Sequence, residues 1–117
     1  MEKIFFSVVL LEDIGPLVCL GTSGFGRAYV CTAIVYEGMS NPFLCTEISL
    51  SQVESLLKGD ICLRELHENP INGKWFVGDF NNEGSGSAVV EVLAENLSDV
   101  KEEYLPTKGL MLDIDNV

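Results

Sequence analysis

The sequence predicts an α+β domain, mainly an antiparallel β-meander sheet with one capped helix plus a short helical turn packed on it. Three observations predict this class. Residues 3–48 read as β-branched and aromatic runs separated by short polar turns, the pattern of hairpins rather than crossover units. At Ser49 the apolar residues switch to helical spacing, at Leu50, Val53, Leu56 and Leu57. Strand character then returns from Trp75, and Ala88 to Glu95 alternates cleanly. No internal repeat or linker interrupts these elements, so a single domain over 1–117 is expected.

The first element, Lys3 to Leu11, is rich in Ile, Phe and Val and reads as a strand buried on both faces. Gly15-Pro16 marks a turn, and Leu17 to Leu20 a short second strand. Gly21 to Gly26 forms a glycine-rich turn, and Arg27 to Tyr36 a long third strand. A turn from Glu37 to Pro42 leads to a fourth strand at Phe43 to Ile48.

Ser49 with Gln52 and Ser51 with Glu54 are overlapping capping boxes for the helix, and Gly59 is the expected residue just past its end. Asp60 is placed to cap a helical turn over Ile61 to Leu66, which Asn69-Pro70 closes. Trp75 to Phe80 is a strand, followed by a loop from Asn81 to Ser87. In the last strand Ala88, Val90, Val92 and Ala94 face one way, and Val89, Glu91, Leu93 and Glu95 the other. Ser98 is a cap for a short helix to Tyr104 that Pro106 stops, and Leu110 to Ile114 reads as an edge strand or arm.

Charge narrows the functions. The net charge is −11, and residues 79–117 carry nine acids against two bases. Such a field repels phosphate backbones, which argues against nonspecific nucleic-acid binding and leaves a basic protein partner as one candidate. The apolar run Ile4–Leu11 is too short to span a bilayer. Glu2 precedes it and no small-residue cleavage site follows, so a cytoplasmic chain without membrane association is expected. Cys19, Cys31, Cys45 and Cys62 are isolated, with no Cys-x-x-Cys pair. Three of them sit in apolar stretches that read as strands, where free Cys is a small buried hydrophobe. Cys62 and His67 could supply two metal ligands at most, so neither a metal site nor a cofactor is expected.

Leu20 to Val30 resembles the glycine-rich phosphate loop of protein kinases through its Phe25-Gly-Arg27 step. The following strand runs Cys31-Thr-Ala-Ile-Val35 without the lysine, and both the His-Arg-Asp and Asp-Phe-Gly motifs are missing. A hairpin turn explains the glycines. His67, the only histidine, stands beside Glu65 and Glu68. It has no nucleophile partner in sequence, and a place at a helix C-terminus accounts for it through the dipole. With Asp79 or Glu83 it makes the best acid–base set, so an enzyme of unrecognised type is the third-ranked reading and no catalytic residue is assigned.

Bases are scarce, which draws attention to Arg27, Arg64 and Lys74 as anchors for an anionic ligand, with Trp75 and Phe25 as stacking surfaces. The structural alternative pairs Arg64 with Asp60 or Glu68 and places Trp75 in the core.

Gly15-Pro-Leu17, Gly26-x-x-Tyr29, Ser51, Leu56-Leu57-x-Gly59-x-Ile61-x-Leu63-Arg64 and Trp75-x-Val77 occur in that order. Over residues 10–80 this string resembles a small bacterial and phage domain family of unknown function, a meander followed by a capped helix and a Leu-Arg turn. The chain departs from it in Phe43-Leu-Cys-Thr46 and in its acidic tail. The resemblance implies the fold and no activity.

The first functional expectation is thus a non-catalytic binding or sequestering protein for a small nucleotide-like anion. Phage proteins of this size that block bacterial defence by soaking up nucleotide signals are the analogy. The alternative is an acidic interaction module that docks a basic partner. A homo-oligomer is an expectation that rests on an exposed edge strand.

Overall fold

The computed structural model describes residues 2–12, 16–34, 42–81, 87–106 and 108–109. Strands β1 (Glu2–Glu12), β2 (Pro16–Ser23), β3 (Ala28–Ala33) and β4 (Pro42–Ile48) run as a meander. Helices α1 (Leu50–Leu57) and α2 (Leu63–Glu68) follow, then strands β5 (Trp75–Asn81) and β6 (Ser87–Ala94). Two 3-10 turns, Leu97–Asp99 and Glu102–Tyr104, come after β6 in place of the single helix expected from Ser98. The expected arm at Leu110–Ile114 and the turn from Glu37 to Asn41 lie outside the described residues.

This is the α+β antiparallel meander that the sequence predicts, and the meander closes into a barrel. Each strand pairs antiparallel with the next, and β6 returns to β1 through Glu2↔Val90, Lys3↔Val89, Ile4↔Ala88 and Phe5↔Ser87. Twisted strands curl a sheet toward closure. Register shifts between Phe6 and Val8 and between Val9 and Leu11 add local bends to β1. Every strand therefore has two neighbours among the described residues, with the β1–β6 seam confined to Glu2–Phe5 and Ser87–Val90.

The two-residue period sorts the side chains. Tyr29, Cys31, Phe43 and Cys45 point into the barrel, where they pack with Ile4, Cys19, Phe76 and Val90. Three thiols line up there, because Cys31 is paired with Cys19 across β2–β3 and with Cys45 across β3–β4. Burial foremost, then the hydrogen bond and charge of Cys45, push the Cys31 thiol well up from its ordinary range, so it packs as a hydrophobe. Val18, Val30 and Ile48 face outward against Leu56, Leu63 and Leu66 of the helices. Each of those leucines is fully buried and contributes on the order of 2 kcal/mol. Leu44, Trp75 and Ala94 face outward against Val100, Tyr104 and Leu105.

Two strand expectations need correction. Strand β1 is not buried on both faces: Ile4 is fully enclosed, while its neighbour Phe5 is 42% exposed. The alternation in β6 breaks near its end. Trp75 pairs with Ala94 but Phe76 with Val92, so one extra residue sits on β6. Val90 consequently points into the barrel and Ala94 joins the outer cluster with Trp75.

Gly78 is demanded by a close approach. A Cβ there would lie 2.6 Å from Val90 Cγ1 and 2.7 Å from the Val89 carbonyl oxygen.

The helices start largely as their sequences dictate. Ser49 Oγ accepts from the Gln52 N–H at 3.2 Å, and Gln52 Oε1 accepts from the Ser49 N–H at 2.7 Å, a complete capping box. Gly59 has a positive φ just beyond the end of α1. Asp60 does not cap α2: the helix begins two residues later than expected, with Cys62 at its N-cap and no side-chain bond. Among the described residues no helix is long and apolar enough to cross a membrane.

Candidate functional site

A groove of about 580 Å³ opens at the barrel end formed by the β2–β3 turn, the start of β5 and the end of β6. Its rim carries Phe25, Arg27, Asn72 and Lys74, its floor Phe76, Val90 and Val92, and Glu91 adds one carboxylate to the lining. The glycine-rich string is thus a hairpin turn, but shorter than expected. Gly21, Thr22 and Ser23 belong to β2, and the turn proper spans residues 24–27, with Gly26 at φ 78°. Ser23 organises it. Its hydroxyl accepts from the Phe25 and Arg27 N–H groups at 3.3 Å each, and its own N–H donates to the Arg27 carbonyl at 2.9 Å. The turn therefore presents Phe25, 84% exposed, beside Arg27.

The opposite wall is the segment between α2 and β5. The Ile71 N–H donates to the Glu47 carbonyl at 3.2 Å, tying this wall to β4. Asn72 Oδ1 accepts from the Lys74 N–H at 3.1 Å and turns the chain into β5. Arg27 Nε lies 3.9 Å from Glu47 Oε1. Below, Phe76 meets the buried Tyr29 ring edge-on at 6.0 Å, which gives the floor a fixed apolar surface.

The fold thus brings three of the residues singled out in the sequence, Phe25, Arg27 and Lys74, to one groove. Arg64 and Trp75 are not among its lining residues. Arg64 is almost wholly buried. It donates to Glu102 Oε2 at 2.6 Å, to the Pro106 carbonyl at 3.1 Å and to Glu68 Oε2 at 3.5 Å. Arg64 thus ties the segment after β6 to α2. That hydrogen bond foremost holds the Glu102 carboxyl below its ordinary range and raises the Arg64 pKa. Trp75 is 5% exposed and its Nε1 donates to the His67 carbonyl at 2.5 Å.

His67 is fully enclosed between α2 and the sheet. Its Nε2 meets Thr32 Oγ1 and its Nδ1 meets Thr46 Oγ1, each at 2.7 Å. Burial lowers its pKa to about 3. It is therefore neutral, and the helix-dipole explanation expected for it does not hold. Asp79 is exposed on the outer face of β5, and Glu83 lies outside the described residues. Among the described residues no group of three or more His, Cys, Asp or Glu side chains is placed to hold a metal ion.

A smaller hollow of about 270 Å³ lies on the outer face of β5 and β6, between Val77, Val89, Leu93 and Tyr104, with Asp79 and Glu91 on its lining.

Sequence reasoning missed Ser23, Glu47, Asn72 and Phe76. Ser23 had a signal, a serine ahead of a glycine turn. Asn72 had one as well, the Asn72-Gly73 turn step, whereas Glu47 and Phe76 are placed by strand pairing that no short window of sequence carries. No family model matches the chain, nor does any curated protein or solved structure, so the family resemblance rests on the residues that suggested it.

Proposed function

We propose that the protein is a non-catalytic binding protein that holds a small nucleotide-like anion in the groove at the barrel mouth. The observation that carries this reading is the convergence of Arg27, Lys74 and the exposed Phe25 ring over the apolar floor of Phe76 and Val92. Arginine offers a planar fork to a phosphate or carboxylate, lysine a second cation, and the rings a surface on which a base stacks. An apolar floor with few polar anchors is the composition of a small-molecule site. A sequestering role in a phage–host conflict belongs to the same proposal and draws only on chain size and this chemistry.

Thermal unfolding against a panel of linear and cyclic nucleotides tests it. A ligand bound only by the folded state raises the apparent unfolding temperature. One nucleotide class is expected to do so, and Arg27→Ala and Lys74→Ala to abolish the shift. A flat panel at millimolar ligand overturns the reading.

The outer hollow favours a second reading. Asp79 and Glu91 beside Val77 and Tyr104 suit a basic residue of a partner protein. Affinity for such a partner falls steeply with salt, and salt-independent binding would remove this reading.

A further inference from the structure

Glu47 underlies both walls of the groove. Its carboxylate lies 3.9 Å from Arg27 Nε, and its carbonyl accepts from Ile71 at 3.2 Å. In the β3–β4 ladder it stands directly opposite Tyr29, so its backbone is fixed in the barrel wall. The two charged side chains are unequally placed: that of Glu47 is 14% exposed and that of Arg27 is 54% exposed. The acid is built into the wall, and the arginine reaches over it from the turn. An anion that approaches Arg27 therefore finds a carboxylate already beside the guanidinium.

Resting on the reading of the mouth as an anion site, we propose that Glu47 is an internal competitor for Arg27. It engages the guanidinium in the empty groove and sets how strongly an anion must bind to displace it. A doubly charged phosphate ester outcompetes a fixed carboxylate, since it brings more charge and paired oxygens to the same fork. Chloride or a single carboxylate does not. Glu47 thus sets an affinity threshold for the site, which phosphate esters clear and weaker anions do not, and it acts on the ligand only through Arg27.

Glu47→Gln tests this. The substitution keeps the side-chain length, and the backbone carbonyl that anchors Ile71 is untouched. Titration calorimetry with adenosine 5′-monophosphate would compare the wild type, Glu47→Gln and the double variant Arg27→Gln/Glu47→Gln. Glu47→Gln is expected to bind roughly fivefold more tightly, the size of one partly exposed ion pair, and the double variant to lose that gain. Wild-type binding that Glu47→Gln leaves equal or weakens overturns the proposal while the mouth stays a binding site. Binding by neither protein overturns both. Should Glu47→Gln unfold, Glu47→Asp draws the charge back by one methylene and is expected to move affinity in the same direction.

Discussion

His67 Nδ1 and Thr46 Oγ1 meet at 2.7 Å in a fully buried layer between α2 and β4. With Thr32 on the other ring nitrogen, an imidazole bridges one helix and two strands. The ring is held in its neutral form, one nitrogen donating and the other accepting, and no carboxylate among the described residues stabilises a charged one.

Stability is expected to depend on pH through this group. His67 titrates at about 3 in the fold, against an ordinary value of 6.5. Between those values the unfolded chain binds more protons, so stability rises with pH there. The contribution is complete above pH 6.5 and falls by about 1.4 kcal/mol per unit as the pH drops toward 3. Urea unfolding from pH 7.5 to 4 should show a steeper loss for the wild type than for His67→Gln. Parallel curves would mean that the imidazole takes up protons in the fold. His67→Ala, which leaves both threonine hydroxyls without this partner, should cost about 3 kcal/mol at neutral pH.

Gly78→Ala should destabilise the barrel by about 1–3 kcal/mol, because its methyl would run into Val90 and the Val89 carbonyl oxygen, and a backbone atom moves only with its strand. Denaturant midpoints measure this. An alanine variant as stable as the wild type would show that β5 and β6 separate there without cost.

Ser49→Ala removes one half of the capping box and leaves the bond from the Ser49 N–H to Gln52 Oε1. The expected loss is about 1 kcal/mol, read from thermal or urea unfolding. No loss would show that α1 is held by Leu56 and its packing alone.

Glu102→Gln should loosen the segment after β6, since Arg64 then retains only Glu68 and the Pro106 carbonyl. Amide exchange at Tyr104 and Leu105 is expected to quicken severalfold, with the strand amides of β3 and β4 unchanged. The same loosening should follow acidification in the wild type. The Glu102 carboxyl is held below its ordinary range, so its contribution is present at neutral pH and is lost as the pH falls through that lowered value.

Much of the fold was legible because local chemistry decides it. Ser49, Gln52 and Gly59 bound α1 as the sequence predicts, and the β-branched runs mark the strands. Partnership between distant residues was not legible. Whether β1 pairs with β6 depends on accumulated twist and on bulges, which no short window of sequence carries. The extra residue on β6 is invisible for the same reason, since the adjacent apolar residues Val92 and Leu93 suit either face. The candidate site was half legible. Arg27 and Lys74 drew attention as rare bases in an acidic chain, but Arg64 drew it equally and proves to be engaged by Glu102. Scarcity identifies a charge that needs an explanation, and the explanation depends on which acids the fold brings near.

The ladder between β1 and β6 also bears on the order of folding. Glu2 to Phe5 must wait for Ser87 to Val90, which are synthesised after β2 to β5. The hairpins β1–β2, β2–β3 and β3–β4 can form from neighbours in sequence, but the seam requires closure of a loop most of the chain long. A nascent chain that ends before β6 therefore presents two open strand borders, on β1 and β5, at which another unfinished chain can pair. Truncation within β6 should therefore leave the borders of β1 and β5 unpaired and favour aggregation.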